Sequence, residues 1–288
     1  MPTPGFDSLN ELSELYQREG LTPQIIARFQ SVVWDYYHTS GRSFPWRETR
    51  DPYSILVSEV MLQQTQTSRV VEKYLSFLRA FPDFATLASA PLGDVLREWQ
   101  GLGYNRRAIS LHRIAQKVTS AFSGQLPSSP EVLLTLPGIG PYTAAAVAAL
   151  AFGEPAAFVE TNVREVYLRS FFADGQRVSD REILPLVAAT LDRSNVREWY
   201  FALYDYGAAI KKTGNANARS AHYHKQSPFR GSNRQLRGRL LKLLLAEGSL
   251  SEADLTRHLG DDARLRDVVD QLKREGFIVV RDGVVALP

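Results

Sequence analysis

Glu59 is a carboxylate in an apolar stretch, preceded by Ile55, Leu56 and Val57 and followed by Val60, Met61 and Leu62. A dry setting of that kind raises a carboxyl pKa and lets the group give a proton, the task of a general acid. A glutamate on a helix surface is the ordinary alternative. The string Leu136-Pro137-Gly138-Ile139-Gly140-Pro141-Tyr142-Thr143 offers different chemistry. Glycines at i and i+2 permit positive φ and bare backbone, so successive N–H groups at the start of the following helix can face a phosphate. Most isolated Gly-x-Gly pairs are only tight turns. The chain has no cysteine, which excludes disulfides, thiolate zinc, iron–sulfur clusters and a catalytic thiol. His222 and His224, two apart in a polar loop without a clear third ligand, read as solvated rather than metal-bound.

These groups must be held by helices. Ile25, Ile26, Phe29, Val32, Val33 and Tyr36 recur at helical spacing between Pro23 and His38. Residues 39–53, rich in turn formers, are expected to form a loop before a helix at 54–64. Further helices are expected at 67–80, 84–88, 91–98, 104–122, 130–135, 141–152, 160–172, 179–192 and 195–211. Their breaks have local causes, such as Phe81-Pro82, Gly101-Leu102-Gly103 and Pro137-Gly138. Residues 1–22 are read as an N-terminal extension, 23–212 as an all-α domain, 213–233 as an extended basic connector and 234–288 as a separate module. In that module helices at 234–246, 251–259 and 262–275 precede two β-rich runs around Asp282-Gly283, a hairpin signal. Three helices and a terminal hairpin make a winged-helix-like (α+β) arrangement, which serves DNA binding or, equally, packing or dimerisation.

The chain has 288 residues and a formal net charge of +3, unevenly spread. Residues 1–210 hold 19 Lys/Arg and 22 Asp/Glu, residues 211–239 hold 8 and none, and residues 240–288 hold 7 and 9. An acid-free basic band suits a polyanion such as DNA, because neutralising phosphates releases counterions; a solvated linker has the same composition. The longest apolar run, Ala144 to Phe152, is too short to span a bilayer, and the N-terminus lacks the pattern of a signal peptide. A cytoplasmic protein is expected, associated with the nucleoid when bound to DNA, with no membrane partner.

Taken with Phe44-Pro45-Trp46-Arg47, Asp51-Pro52-Tyr53, the run through Gln66, Gly101-Leu102-Gly103-Tyr104 and Glu160-Thr161-Asn162-Val163-Arg164, the order of motifs resembles the helix-hairpin-helix DNA glycosylases, closest to the MutY-like adenine DNA glycosylases. The resemblance covers roughly residues 25–212 and implies an all-α fold of two helical subdomains. It also implies a monomeric, monofunctional enzyme of base excision repair that flips a damaged or mispaired base, adenine favoured, out of double-stranded DNA and hydrolyses its N-glycosidic bond. By position, Glu59 matches the acid that protonates the departing adenine and then helps water attack. Gln63 or Gln64 and Tyr104 match residues that wedge into the opened stack. Tyr142 stands where bifunctional relatives carry a Schiff-base lysine. Gly138, Gly140 and Thr143 match the hairpin that grips the DNA backbone, with room for a monovalent cation, and Arg47 is assigned a backbone contact.

Three departures from the family pattern stand out. Glu160 occupies the place of the family's catalytic aspartate and is one methylene longer, with Asn162 placed to hold its carboxylate or the attacking water. The four-cysteine iron–sulfur loop is replaced by the basic connector, whose Arg230 and Arg234 are candidate DNA contacts, so no cofactor is expected. The domain that reads oxidised guanine is replaced by the winged-helix-like module. Cleaving an N-glycosidic bond builds an oxocarbenium cation and needs an acid for the base and an anion near the sugar, roles that Glu59 and Glu160 fit. A thymine/uracil mismatch glycosylase is the alternative among enzymes. A non-catalytic DNA-binding protein with a degenerate pocket is the alternative outside them.

Overall fold

The computed structural model describes residues 6–223 and 228–288. The first half of the chain folds into α1 (Phe6–Glu19), α2 (Pro23–Ser40), α3 (Pro45–Glu48), α4 (Pro52–Leu62), α5 (Thr67–Ala80), α6 (Phe84–Ser89), α7 (Leu92–Trp99), α8 (Arg106–Ala121) and α9 (Pro130–Leu133). Then come α10 (Pro141–Phe152), α11 (Thr161–Phe171), α12 (Asp180–Thr190) and α13 (Val196–Ile210). The C-terminal module holds α14 (Asn233–Glu247), β1 (Ser249–Ser251), α15 (Glu252–Leu259), α16 (Leu265–Glu275), β2 (Val279–Arg281) and β3 (Val284–Ala286).

The described residues group into two units that cut across the chain order: 6–55, 128–135 and 139–223 form one, and 56–127, 136–138 and 228–288 form the other. The first is built on α2, α11 and α13. Phe29 packs its ring 5.2 Å from Tyr167, 5.0 Å from Phe171 and 5.9 Å from Trp199, all four buried. Helix α1 falls in the stretch read as an extension, yet it buries Leu9 and Leu12 in this core. The loop expected over 39–53 contains α3, where Pro45 at the first helical position supplies a φ already suited to the turn.

In the second unit α8 lies against α6 and α7, with Phe77 set edge-on against Trp99. The C-terminal module belongs to this unit. Its strands form an antiparallel sheet in the order β1-β3-β2, with Val285 opposite both Leu250 and Val280. Asp282 and Gly283 take φ of +48° and +75°, as a two-residue hairpin turn requires. Three helices and this sheet make up the winged-helix-like (α+β) module, including a strand, β1, that the pattern of residues did not suggest. Glu275 fastens the module to α8: Arg106 and Arg237 both pair with its carboxylate, and Arg113 donates to its backbone oxygen at 3.5 Å. Burial alone would raise the Glu275 carboxyl; the two guanidiniums overcome that and hold it at about 2.

Candidate active site

Glu59 lies in α4 among buried Leu56, Val57, Val60 and Met61, and is itself only 5% exposed. Beyond the end of α4 the chain turns through half-buried Gln63 and exposed Gln64, and Gln64 adopts a left-handed φ of +53°. A second turn follows α7, where Gly103 has φ +74° and Tyr104 has φ +47°. Left-handed backbone at two non-glycine residues persists only where the surroundings impose it, and such strain clusters at functional sites.

What imposes it is Arg107, a residue the sequence reading passed over. From the buried face of α8 its guanidinium donates to the backbone oxygens of Val60 at 2.9 Å, Met61 at 2.8 Å and Gln63 at 2.6 Å. It also donates to Leu102 at 3.4 Å, to Gly103 at 3.1 Å and to the Thr65 hydroxyl at 3.1 Å. One cation thus closes the carbonyl end of α4 and ties the Gln63–Gln64 turn to the Tyr104 turn, with its own charge over the Tyr104 ring at 5.5 Å. Burial lowers its pKa to about 10, which leaves it protonated at neutral pH. The only sequence signal was a second arginine beside Arg106 on a helix whose neighbouring residues are apolar.

In the first unit Glu160 caps α11. Its Oε1 accepts from the amides of Asn162 at 2.6 Å and Val163 at 2.8 Å, and the Asn162 side-chain amide donates to Oε2 at 3.4 Å. The carboxylate folds back onto its own helix, and Oε2 is the oxygen that carries no backbone bond in that cap. Desolvation pushes the half-buried Glu160 carboxyl above its ordinary value, against the pull of the two amides, Arg164 and Lys211. Helix α13 fixes the backbone here: a Cβ on Gly207 would stand 2.2 Å from the Asn162 carbonyl oxygen, so only glycine allows this approach. Tyr142 sets its ring edge-on against Phe158 at 5.6 Å, and Phe158 stacks on Tyr200 at 3.9 Å.

Arg47 is placed differently from the role assigned to it. Its side chain is 8% exposed, pairs with both Asp205 oxygens at 2.8 Å and lies over Phe201 at 4.5 Å. The more exposed Arg42 shares the same carboxylate. At the hairpin Gly138 uses φ +77°, and a Cβ there would collide with Ser110. Gly140 does not share that conformation: it has φ −95° and caps α10 in extended backbone, because the residue before a helix whose first position is Pro141 is extended. Thr143 is buried. Tyr104 and Arg234 meet, the Arg234 guanidinium lying 3.4 Å from the phenolic oxygen, and Arg230 is exposed. His224 lies outside the described residues.

The family model for HhH-GPD superfamily base excision DNA repair protein matches residues 57–185. An adenine DNA glycosylase from Mycobacterium tuberculosis is 34% identical over 290 residues, covering 92% of this chain and 95% of the relative. The chain belongs to the HhH-GPD superfamily of base excision DNA repair proteins. A thymine/uracil-DNA glycosylase from Methanothermobacter thermautotrophicus is 32% identical over 63% of the chain and 84% of its own length. The solved structure of a thermostable thymine-DNA glycosylase has a TM-score of 0.57 at 29% identity, covering 64% of this chain and 86% of that one. A chain in a non-covalent endonuclease III–DNA complex has a TM-score of 0.55 at 21% identity over 73% of this chain and 91% of its own. The match to the mycobacterial protein covers too much of the chain to leave out the winged-helix module.

An iron–sulfur cluster of the kind the family resemblance implies does not fit this glycosylase: without cysteine there are no thiolates to hold it. No group of three or more His, Asp or Glu among the described residues could hold a metal ion. The first part of the segment expected to be an extended connector, residues 213–223, is instead folded onto the first unit through Glu165, which is fully buried. Its carboxylate accepts from the amides of Ala216 at 2.9 Å and Asn217 at 3.1 Å, from the Asn217 side chain at 2.7 Å and from Arg169 at 2.9 Å. Two 3-10 turns, Lys211–Thr213 and Ala216–Arg219, and a parallel bridge between Val178 and Ser220 complete the attachment. Asn217 and Ser220 are buried in a stretch whose composition suggested only solvated linker.

Proposed function

We propose that this DNA N-glycosylase is monofunctional, acts as a monomer on duplex DNA and removes a mispaired adenine. The observation that carries the reading is Glu59: a buried carboxyl a few residues before a strained turn that Arg107 ties to Tyr104. The identity of 34% to an adenine glycosylase along nearly the whole chain supports adenine as the base. Gln64 and Tyr104 fill the stack as the nucleotide leaves it, offsetting a flipping cost of about a few kcal/mol. Glu59 protonates the base as the N-glycosidic bond breaks and the bonding electrons leave with it. Glu160 faces the sugar cation with its carboxylate, held by Asn162, and water adds at the anomeric carbon, giving its proton to the now ionised Glu59, to leave an abasic site. Tyr142 offers no amine for a Schiff base, so the strand stays intact. Arg47 positions its loop through Asp205. The hairpin amides around Gly138, Gly140 and Thr143, with Arg230 and Arg234, take phosphates.

The relatives that act on thymine or uracil support a second reading, in which the mispaired base is a pyrimidine. Labelled duplexes carrying A:G, A:8-oxoguanine, T:G and U:G, incubated with the protein and then treated with alkali, separate the two. Cleavage is expected on the adenine mispairs and only after alkali. Cleavage confined to T:G and U:G would replace adenine by a pyrimidine, and strand scission without alkali would contradict monofunctional chemistry.

A further inference from the structure

The turn before α14 presents an aromatic ring to solvent. Phe229 is 60% exposed, more than any other large hydrophobic residue among those described. Its turn is locked: the Ser232 amide and hydroxyl donate to the Phe229 oxygen at 3.1 and 2.6 Å, and the Gly231 amide donates to the Gln235 side chain at 2.7 Å. Arg264 donates to the Gly231 oxygen at 2.7 Å while Asp262 holds the same guanidinium at 2.6 Å. Exposed Arg230 is the next residue, and Arg234, in the first turn of α14, reaches the Tyr104 hydroxyl. The ring is therefore about one helical turn along the chain from a residue that touches the Tyr104 turn, all within one unit.

Along the sequence the charge on either side of it has one sign, Asp262 at the turn being paired with Arg264. Between Asp205 and Glu247 the sequence has nine Lys or Arg and no acid. Helix α16, the helix that winged-helix readers place in a DNA groove, is less suited, since its exposed Arg266, Lys273 and Arg274 are interleaved with exposed Asp267 and Asp270. An exposed aromatic ring on a locked turn, with Arg230 next to it in the sequence and Arg234 at the start of α14, matches a nucleic acid, which offers a base face to the ring and phosphates to the cations. We propose that Phe229, Arg230 and Arg234 form a second contact to the duplex, beside the Tyr104 wedge, with the phenyl ring stacked on a base unstacked next to the opened pair. This rests on the reading that the protein opens duplex DNA, and it gives the winged-helix module a role at the lesion through the start of α14.

The test is fluorescence-anisotropy binding of the full chain to an A:G duplex whose target adenosine carries 2′-fluorine, which resists cleavage. Phe229→Ala is expected to weaken binding about tenfold, the contribution of one stacked base, with the salt dependence unchanged. Arg230→Gln is expected to lower the salt slope by about one. Phe229→Trp is expected to bind as the wild type does, with indole emission quenched on adding duplex. Wild-type-like binding by Phe229→Ala, or emission from Phe229→Trp that DNA leaves unchanged, would overturn the proposal while leaving the glycosylase reading intact. A wild-type chain that binds no duplex overturns both.

Discussion

Glu160 carries a charge that the fold does not need. Desolvation raises its carboxyl above the ordinary value, so ionising it costs native stability at neutral pH; that cost is absent below the unfolded value of about 4.3 and grows as pH rises through the native value. Glu160→Gln keeps an oxygen for the amides of Asn162 and Val163 and sheds the charge. It is expected to melt at or above the wild-type temperature at pH 7, the difference vanishing at low pH, while single-turnover base release falls by about 10²–10³. Wild-type release should decline as pH drops through a value above the usual glutamate range, and Glu160→Gln should lack that limb. A Glu160→Gln variant that is both unstable and fully active would reduce the residue to a helix cap. The sequence showed the substitution of glutamate for aspartate; it could not show that the carboxylate folds back onto its own helix.

Helix α8 organises the Gln63–Gln64 and Tyr104 turns through one side chain. Removing the Arg107 guanidinium by Arg107→Met would leave five backbone oxygens around it short of a donor, at about 1–3 kcal/mol for each that water cannot reach. The expected result is a protein with a lowered melting temperature in which Gln64 and Tyr104 relax from left-handed backbone. Base opening, followed with 2-aminopurine beside the target, should then slow more than overall duplex binding weakens; equal losses in both would make Arg107 merely structural. Helices were legible because their signals are local: Thr67–Ala80 and Pro141–Phe152 fall at the expected bounds, each opened by its own residues. Arg107 was not legible, because its acceptors are carbonyls on two turns about 40 residues apart, which no spacing of side chains marks. Strand β1 escaped notice for a related reason, since three residues pair only with a strand about 35 residues on.

Across the whole molecule, cations divide between those paired within the protein and those left exposed. Arg237 is used on Glu275 and on the Phe277 ring, whereas Arg230 and Arg239 are exposed. Charge counts alone cannot draw that line, so composition could not sort the members of the basic band or show that Glu165 anchors its first part. Glu275 titrates at about 2 in the folded protein, so its clamp contributes stability above its unfolded value of about 4.3 and loses it as pH falls toward 2. Glu275→Gln is expected to lower the melting temperature at pH 7, with the gap closing in acid, and to weaken duplex binding by freeing the module that carries Arg230 and Arg234. An unchanged melting temperature would show the clamp to be incidental. The central claim is that a buried carboxyl on α4 delivers the proton to the departing base. Its most direct measurement is single-turnover release of adenine from an A:G duplex by Glu59→Gln, with binding measured in parallel. The account predicts wild-type binding with release slowed by about 10²–10⁴, and release at the wild-type rate would contradict it.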